Sequence, residues 1–138
     1  MTYTLGETIY WKLRDDEAIV HVAYSVTTGY RIYPVKMPDN VVYPAISFQF
    51  IGGASRVHTM GNDTGNPSGT RLQISAWAET LTEARALQEL VRLEMQDTTG
   101  TYAGGVTFQR IFTESEPIEL YSDSAEVYQV IRDYLIWV

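Results

Sequence analysis

Two hydrophobic periods alternate along this chain and mark its helices and strands. In the first, apolar residues recur every three or four positions, as they do on one face of an α-helix. This pattern predicts an N-terminal helix that Thr4 and Glu7 can cap, and a longer main helix that Thr80 and Glu83 can cap. The apolar positions are Leu5, Ile9 and Leu13 in the first helix and Ala84, Leu87, Leu90, Val91 and Met95 in the second.

The second period is two, which is typical of strands that bury one face. The predicted strands cover Tyr30–Tyr33, Val42–Ile51, Arg71–Ala78, a segment with Val106, Phe108 and Phe112 on one side, and Val127–Val138. The side chains expected in the core are Phe48, Phe50, Ile74, Leu87, Leu90, Val91 and Phe108, with Trp77 at the rim of the sheet.

The order of these elements is helix, strand, strand, helix, strand, strand. Such an order predicts an α+β fold, in which a mostly antiparallel sheet is packed by the main helix and the N-terminal helix. A chain of 138 residues is most simply one domain, spanning residues 1–138.

A long polar segment, Gly52 to Thr70, separates the two central strands. Hairpin strands are normally joined by about two to five residues, and longer loops in compact domains are usually functional or disordered. The segment is rich in Gly, Asn, Asp and Ser, and we interpret it as a surface that orders against another protein. Its candidate interface residues are Arg56, His58, Met60 and Asn62, of which Arg56 and Met60 have the reach of anchors.

The charge balance argues against a nucleic-acid-binding protein. Seventeen acidic residues against ten basic ones give a net charge of −7, whereas affinity for phosphate backbones comes from Lys and Arg. One stretch carries acids without any base, and its acids are Glu114, Glu116, Glu119, Asp123 and Glu126. Two interpretations remain open, a solvated surface or a negative wall that faces a basic partner or a channel.

The residues that usually carry chemistry do not form a recognisable site. The chain has no cysteine, and neither His21 nor His58 has a partner at metal-ligand spacing. We expect His21 to be a partly buried helix residue, and Asp15, Asp16 and Glu17 to favour a helix N-terminus instead of binding a cation. No nucleophile elbow, dinucleotide fingerprint or P-loop occurs, so we expect no enzyme, no metal and no cofactor. No apolar run is long enough for a membrane span, and no secretory signal opens the chain.

Taken as an ordered set, several short segments resemble the tail terminator, or tail completion, proteins of long-tailed bacteriophages and phage-like particles. The resemblance covers nearly the whole chain, from the N-terminal helix to the last strand. The segments that carry it are Arg31-Ile32-Tyr33-Pro34, Val42-Tyr43-Pro44-Ala45-Ile46, the run from Arg71 to Trp77, the helix start at Glu83-Ala84, and Arg132-Asp133-Tyr134.

The resemblance implies a structural virion protein of the tail and neck region, assembled in the host cytoplasm. It implies a ring, usually of six copies, that caps the head-proximal end of the tail tube, stops tube polymerisation and offers a docking face to the head connector or stopper. The candidate interface residues in the long segment would then contact the neighbouring subunit or the tube protein. The acids from Glu114 to Glu126 would face the channel, and DNA would pass through it without specific binding.

Three alternatives remain open at the level of the sequence. One is another neck component, such as a head–tail stopper or adaptor, or the tail tube protein itself. A second is a small hydrolase or metal-dependent enzyme, against which the missing motifs argue. A third is a small-molecule binder, which the heavy aromatic content permits although no polar cluster identifies a ligand.

Overall fold

The computed structural model of the protein describes residues 5–25, 27, 29–51, 55–56, 68–96, 99–101, 107–108, 110–113 and 116–137. Within them the fold is α+β with a mostly antiparallel sheet, as the sequence predicts. Its helices are α1 (Leu5–Arg14), α2 (Glu17–Ala23) and α3 (Leu81–Met95).

Side-chain caps begin two of these helices. The Asp16 carboxylate accepts a hydrogen bond from the Ile19 amide at 3.0 Å and starts α2, where the sequence predicts a short helical turn. The Thr80 hydroxyl accepts one from the Glu83 amide at 3.2 Å and starts α3, which confirms the predicted main helix. That helix ends at Met95. Thr4, the predicted cap of α1, lies outside the described residues.

Short strands flank two long ones of eleven residues each, β6 and β11. The strands are β1 (Tyr24–Ser25), β2 (Gly29–Tyr30), β3 (Ile32–Pro34), β4 (Ala45–Phe50), β5 (Ser55–Arg56), β6 (Ser68–Ala78), β7 (Gly100–Thr101), β8 (Thr107–Phe108), β9 (Arg110–Thr113), β10 (Ile118–Ser122) and β11 (Val127–Trp137).

The main sheet has the order β10-β11-β6-β4-β3. The β6–β11 pair runs antiparallel from Tyr128 opposite Ala78 to Trp137 opposite Gly69, and it forms the centre of the sheet. The β3–β4 pair is parallel, while the other pairs of this sheet are antiparallel. β9 and β10 both pair with the outer side of β11, and β5 pairs with β6 beyond the end of β4. The remaining pairs, β1–β2 and β7–β8, form two small separate sheets.

One face of the sheet is covered by helices, and there the core forms. Ile46, Ile74 and Tyr134 from the sheet pack with Leu87 and Val91 from α3. Of the predicted core, Phe48, Ile74, Leu87, Val91 and Phe108 are buried, and Leu90 packs half-buried against them. Trp77 is half-buried on the opposite face, where its indole nitrogen donates to Ser47.

Two predictions about buried faces are wrong. Phe50 is 38% exposed, because it is the last residue of β4 and lies beyond the main helix cover, beside Gly6 at the beginning of α1. Phe112 is exposed while Ile111 is buried. The alternation does not continue from Phe108, because β8 pairs with β7 whereas β9 belongs to the main sheet, paired with β11.

A buried arginine joins the β3 edge to the helical layer. Arg31 is 6% exposed. Its Nε donates to the carbonyl of Pro44 at 2.8 Å, and its Nη2 donates to the carbonyl of Val22 in α2 at 2.7 Å. Its backbone amide donates to the Ala23 carbonyl at 2.7 Å. A buried charge requires such partners, so Arg31 ties three segments together.

A buried glutamine joins α3 to the two central strands. Gln88 is 2% exposed, and its Nε2 donates to the carbonyl of Ile74 in β6 at 3.0 Å and to that of Val130 in β11 at 2.7 Å. The hydroxyl of Tyr134 donates to Gln88 Oε1 at 3.3 Å. Burial raises the pKa of Tyr134 well above its ordinary value, which keeps this hydroxyl protonated and able to donate.

We expect Gln88→Met to lower the free energy of unfolding by about 1–3 kcal/mol, because it removes three hydrogen bonds and leaves the Tyr134 hydroxyl buried without an acceptor. Tyr134→Phe should then lower the free energy of unfolding less in the Gln88→Met variant than in the wild type. Urea unfolding of the wild type, the two single variants and the double variant measures this difference. Gln49→Met, on the exposed face, is the matched control. Strictly additive losses would contradict a shared network.

Candidate assembly surface

The second face of the main sheet carries no helix among the described residues, and its centre is mainly polar, with Asp133 opposite Gln73. Three side-chain pairs span neighbouring strands there. Trp77 Nε1 donates to Ser47 Oγ at 2.9 Å, Gln129 Nε2 donates to Ser75 Oγ at 3.0 Å, and Gln49 Nε2 donates to Gln73 Oε1 at 3.1 Å. These residues line a shallow trough of about 200 Å³. Such a hydrogen-bonded polar surface suits contact with another protein.

The edge strand β10 is a structural element that the sequence analysis did not assign. Ile118 and Leu120 lie on the face without helices, 55% and 50% exposed, and Tyr121 lies on the other face against Tyr128. Apolar residues thus occur on both faces of β10. The alternation of Ile118 and Leu120 with Glu119 is the sequence signal for this strand.

The acids predicted to form one wall differ in their surroundings. Glu119 faces α3, where the Arg85 guanidinium binds it through two hydrogen bonds, Nη2 to Oε1 at 2.9 Å and Nε to Oε2. Arg85 holds the pKa of Glu119 below its ordinary range. Glu116 is exposed before β10, whereas Asp123 and Glu126 are exposed in the turn at its other end. The acidic stretch contains no base in the sequence, but the fold brings Arg85 next to it. Glu114 lies outside the described residues.

The predicted interface residues lie at the beginning of the long polar segment. Ser55–Arg56 pairs with Ser68–Gly69, so the segment begins as a hairpin stem that extends the β4–β6 pair. The backbone of Arg56 therefore lies in this stem, opposite Ser68. His58, Met60 and Asn62 lie outside the described residues.

A close contact between Gly69 and Trp137 supports this stem. The two residues are opposite each other in the β6–β11 register. A Cβ atom at Gly69 would lie 3.1–3.3 Å from three ring atoms of Trp137, which is tighter than ordinary contact. Glycine therefore lets the indole cover the strand at the base of the hairpin.

The edge opposite β10 is formed by β3. Val35 follows this strand with a φ of 64° and is 72% exposed, and Lys36 beside it is also exposed. On the helix side of this edge, a largely apolar hollow of about 400 Å³ opens between α1 and the strands, lined by Gly6, Glu7, Tyr10, Pro34 and Phe48.

The described residues contain no cluster of three or more His, Asp or Glu side chains that could hold a metal ion. His21 is exposed in the last turn of α2, so the prediction that it is partly buried is wrong. His21 lies on the exposed side of α2, because the buried positions of that helix are Ile19 and Ala23. In the part of the chain that the structure describes, no helix is long and apolar enough to cross a membrane.

Comparison with known proteins agrees with a structural protein of this architecture. The model of the family described as "Tail completion protein gp17" matches residues 7–138. The chain belongs to this family and is a structural protein of the phage tail. The resemblance stated from the sequence is thereby confirmed.

A solved structure shares the fold. A chain of the structure titled "Virion of native gene transfer agent (GTA) particle" is similar with a TM-score of 0.70 at 15% identity, over 97% of this chain and 93% of that chain. At this level of identity the similarity establishes the fold. A comparison with curated proteins gives no match.

We expect Gly69→Ala to displace the Trp137 indole by a few tenths of an ångström and to destabilise the hairpin stem. Thermal unfolding and tryptophan fluorescence measure the effect. Thr70→Ala, at the neighbouring half-buried position, is the control and should change the fluorescence less. An unchanged spectrum and melting temperature in Gly69→Ala would show that the close packing is unimportant.

Proposed function

We propose that the protein forms a ring that caps the head-proximal end of the phage tail tube. The ring, of six copies, stops tube polymerisation and provides the docking face for the head connector or stopper protein. Each copy acts as a single domain, residues 1–138, and works by shape without catalysing a reaction. Its place is the neck region of the virion, after assembly in the host cytoplasm.

Family membership over residues 7–138 is the observation that carries this proposal. The similar fold of a chain from a gene transfer agent virion supports an assembled, particle-bound role. The form of the sheet adds a physical reason, because in the part of the chain that the structure describes it has one face without helices and two differing edges. A ring needs two different surfaces on each copy that match each other and close after a fixed number of steps.

Capping requires a surface that accepts the tube on one side only. We assign this role to the long polar segment between Arg56 and Ser68, because its two ends pair as antiparallel strands and its length exceeds that of an ordinary turn. Arg56, His58, Met60 and Asn62 are its proposed contacts with the tube or the neighbouring subunit. Extended hairpins supply such contacts through backbone pairing and side-chain anchors.

We assign the proposed channel-facing role chiefly to the acids in the turn between β10 and β11. Asp123 and Glu126 are exposed there, whereas Arg85 neutralises Glu119. Unpaired acids around a channel repel phosphate and let DNA pass without binding.

The purified protein is expected to form closed rings of one mass, because a contact that closes cannot propagate. Mass photometry and negative-stain images measure this directly. Added to growing tail tubes, the rings should fix tube length. A chain that instead assembles into cylinders of variable length is a tube protein, and rings that leave tube growth unchanged identify another neck component.

Shortening the hairpin between Arg56 and Ser68 to a tight turn should leave ring formation intact and abolish capping. A variant with residues 57–67 replaced by an equally long Gly/Ser sequence separates the effect of length from that of side chains. Tube length after addition of each variant is the readout. Normal capping by the shortened chain would remove the hairpin from the tube contact.

A further inference from the structure

The exposed apolar side chains at the two ends of the sheet form two different patches. The first, called the β10 patch, consists of Ile118, Leu120 and Tyr121. The second, called the β3 patch, consists of Pro34, Val35 and Lys36 together with the apolar hollow beside them. Exposed apolar groups gathered at an edge mark an interaction surface. Since β10 and β3 are the outermost strands, the patches lie on opposite sides of one subunit.

The β10 patch ends the sheet at an unprotected strand. Among the described residues, β11 is the strand that pairs with β10, and no other strand lies on its far side. Natural sheets usually cover, charge or pair such an edge. Ile118 and Leu120 expose about half of their surface on the face without helices, so burial does not protect them.

The β3 patch offers side chains instead of backbone. Pro34 has no amide hydrogen, and its carbonyl accepts from the Lys36 amide at 2.7 Å. The Val35 amide donates inward to the Phe48 carbonyl at 2.8 Å. Few backbone groups are therefore left for strand addition. The hollow of about 400 Å³ on the helix side has room for a large side chain.

An exposed base lies in one patch and an exposed acid lies beside the other. Lys36 is exposed in the β3 patch. Glu116 is exposed just before the β10 patch, where Glu119 is already paired with Arg85. Complementary charges at the rim of an apolar contact set its register and exclude wrong pairings.

We propose that the β10 patch of one copy binds the β3 patch of the next copy, and that this is the contact that closes the ring. The inference rests on the proposed ring. Because the two patches differ and lie at opposite edges, a chain of bound copies always has a free β10 patch at one end and a free β3 patch at the other. Copies therefore add until the last one binds the first, and the closed ring has no free patch.

The absence of cysteine in the chain allows a direct test. In the double variant Leu120→Cys/Val35→Cys, a short bismaleimide should join neighbouring copies and give a ladder that ends at the ring size. Each single variant should give no cross-linked product, since equal positions of neighbouring copies lie apart. The double variant Leu120→Cys/Leu93→Cys is the control, because Leu93 is 64% exposed on α3 and away from both edges.

The outcomes separate this contact from the ring itself. Wild-type rings without the Leu120–Val35 ladder overturn the edge contact and leave the proposed ring standing. Dimers of the single variant Leu120→Cys mean that two β10 edges meet each other, which also overturns it. A wild-type protein that stays monomeric at all concentrations overturns both proposals.

A charge exchange provides a second test without new thiols. We expect Lys36→Glu to raise the concentration needed for half-assembly by roughly tenfold, since it places like charges at the rim. Glu116→Lys added to Lys36→Glu should restore assembly, whereas Glu79→Lys, at an exposed acid beyond the end of β6, should not. Circular dichroism confirms that each variant is folded. Unchanged assembly in Lys36→Glu, or equal rescue by both second changes, contradicts the proposed register.

Discussion

The fold depends most on the point where Gln88 reaches from α3 into the centre of the sheet. Its amide nitrogen donates to one carbonyl in β6 and another in β11, so one side chain holds the helix against both long strands. In an apolar interior each of these groups would be costly without a partner. Because Tyr134 completes the network with its hydroxyl, the position of α3 along the sheet is defined more sharply than apolar packing alone would define it.

The two faces of the sheet and its two edges differ in the side chains that they carry. The helix-covered face contains the core, and the other face carries paired Ser, Gln and Trp side chains. The edges are where apolar residues remain in solvent. A structural protein of the tail gains from this arrangement, since a stable core leaves the remaining surfaces free to differ from each other.

The sequence predicted most of the covered face and little of the edges. Helix caps and regular alternation are local signals, and Thr80, Ile74 and Val91 lie where those signals place them. Phe50 and Phe112 do not, because their exposure depends on where a strand ends and on which partner it pairs with. β10 was not predicted because its short alternation lies in an acidic stretch, and because the partner of Glu119, Arg85 on α3, is distant in the sequence.

The hydrogen bonds of Arg31 also make the β3 edge of the sheet rigid. By joining Val22 and Pro44 it braces the margin of the sheet against the helical layer, so β3 cannot bend away without uncovering a charge. A margin braced in this way keeps its shape in the lone subunit. A partner that binds this side would then meet a preformed surface, so binding would cost little conformational entropy there and its rate would be set by encounter instead of rearrangement.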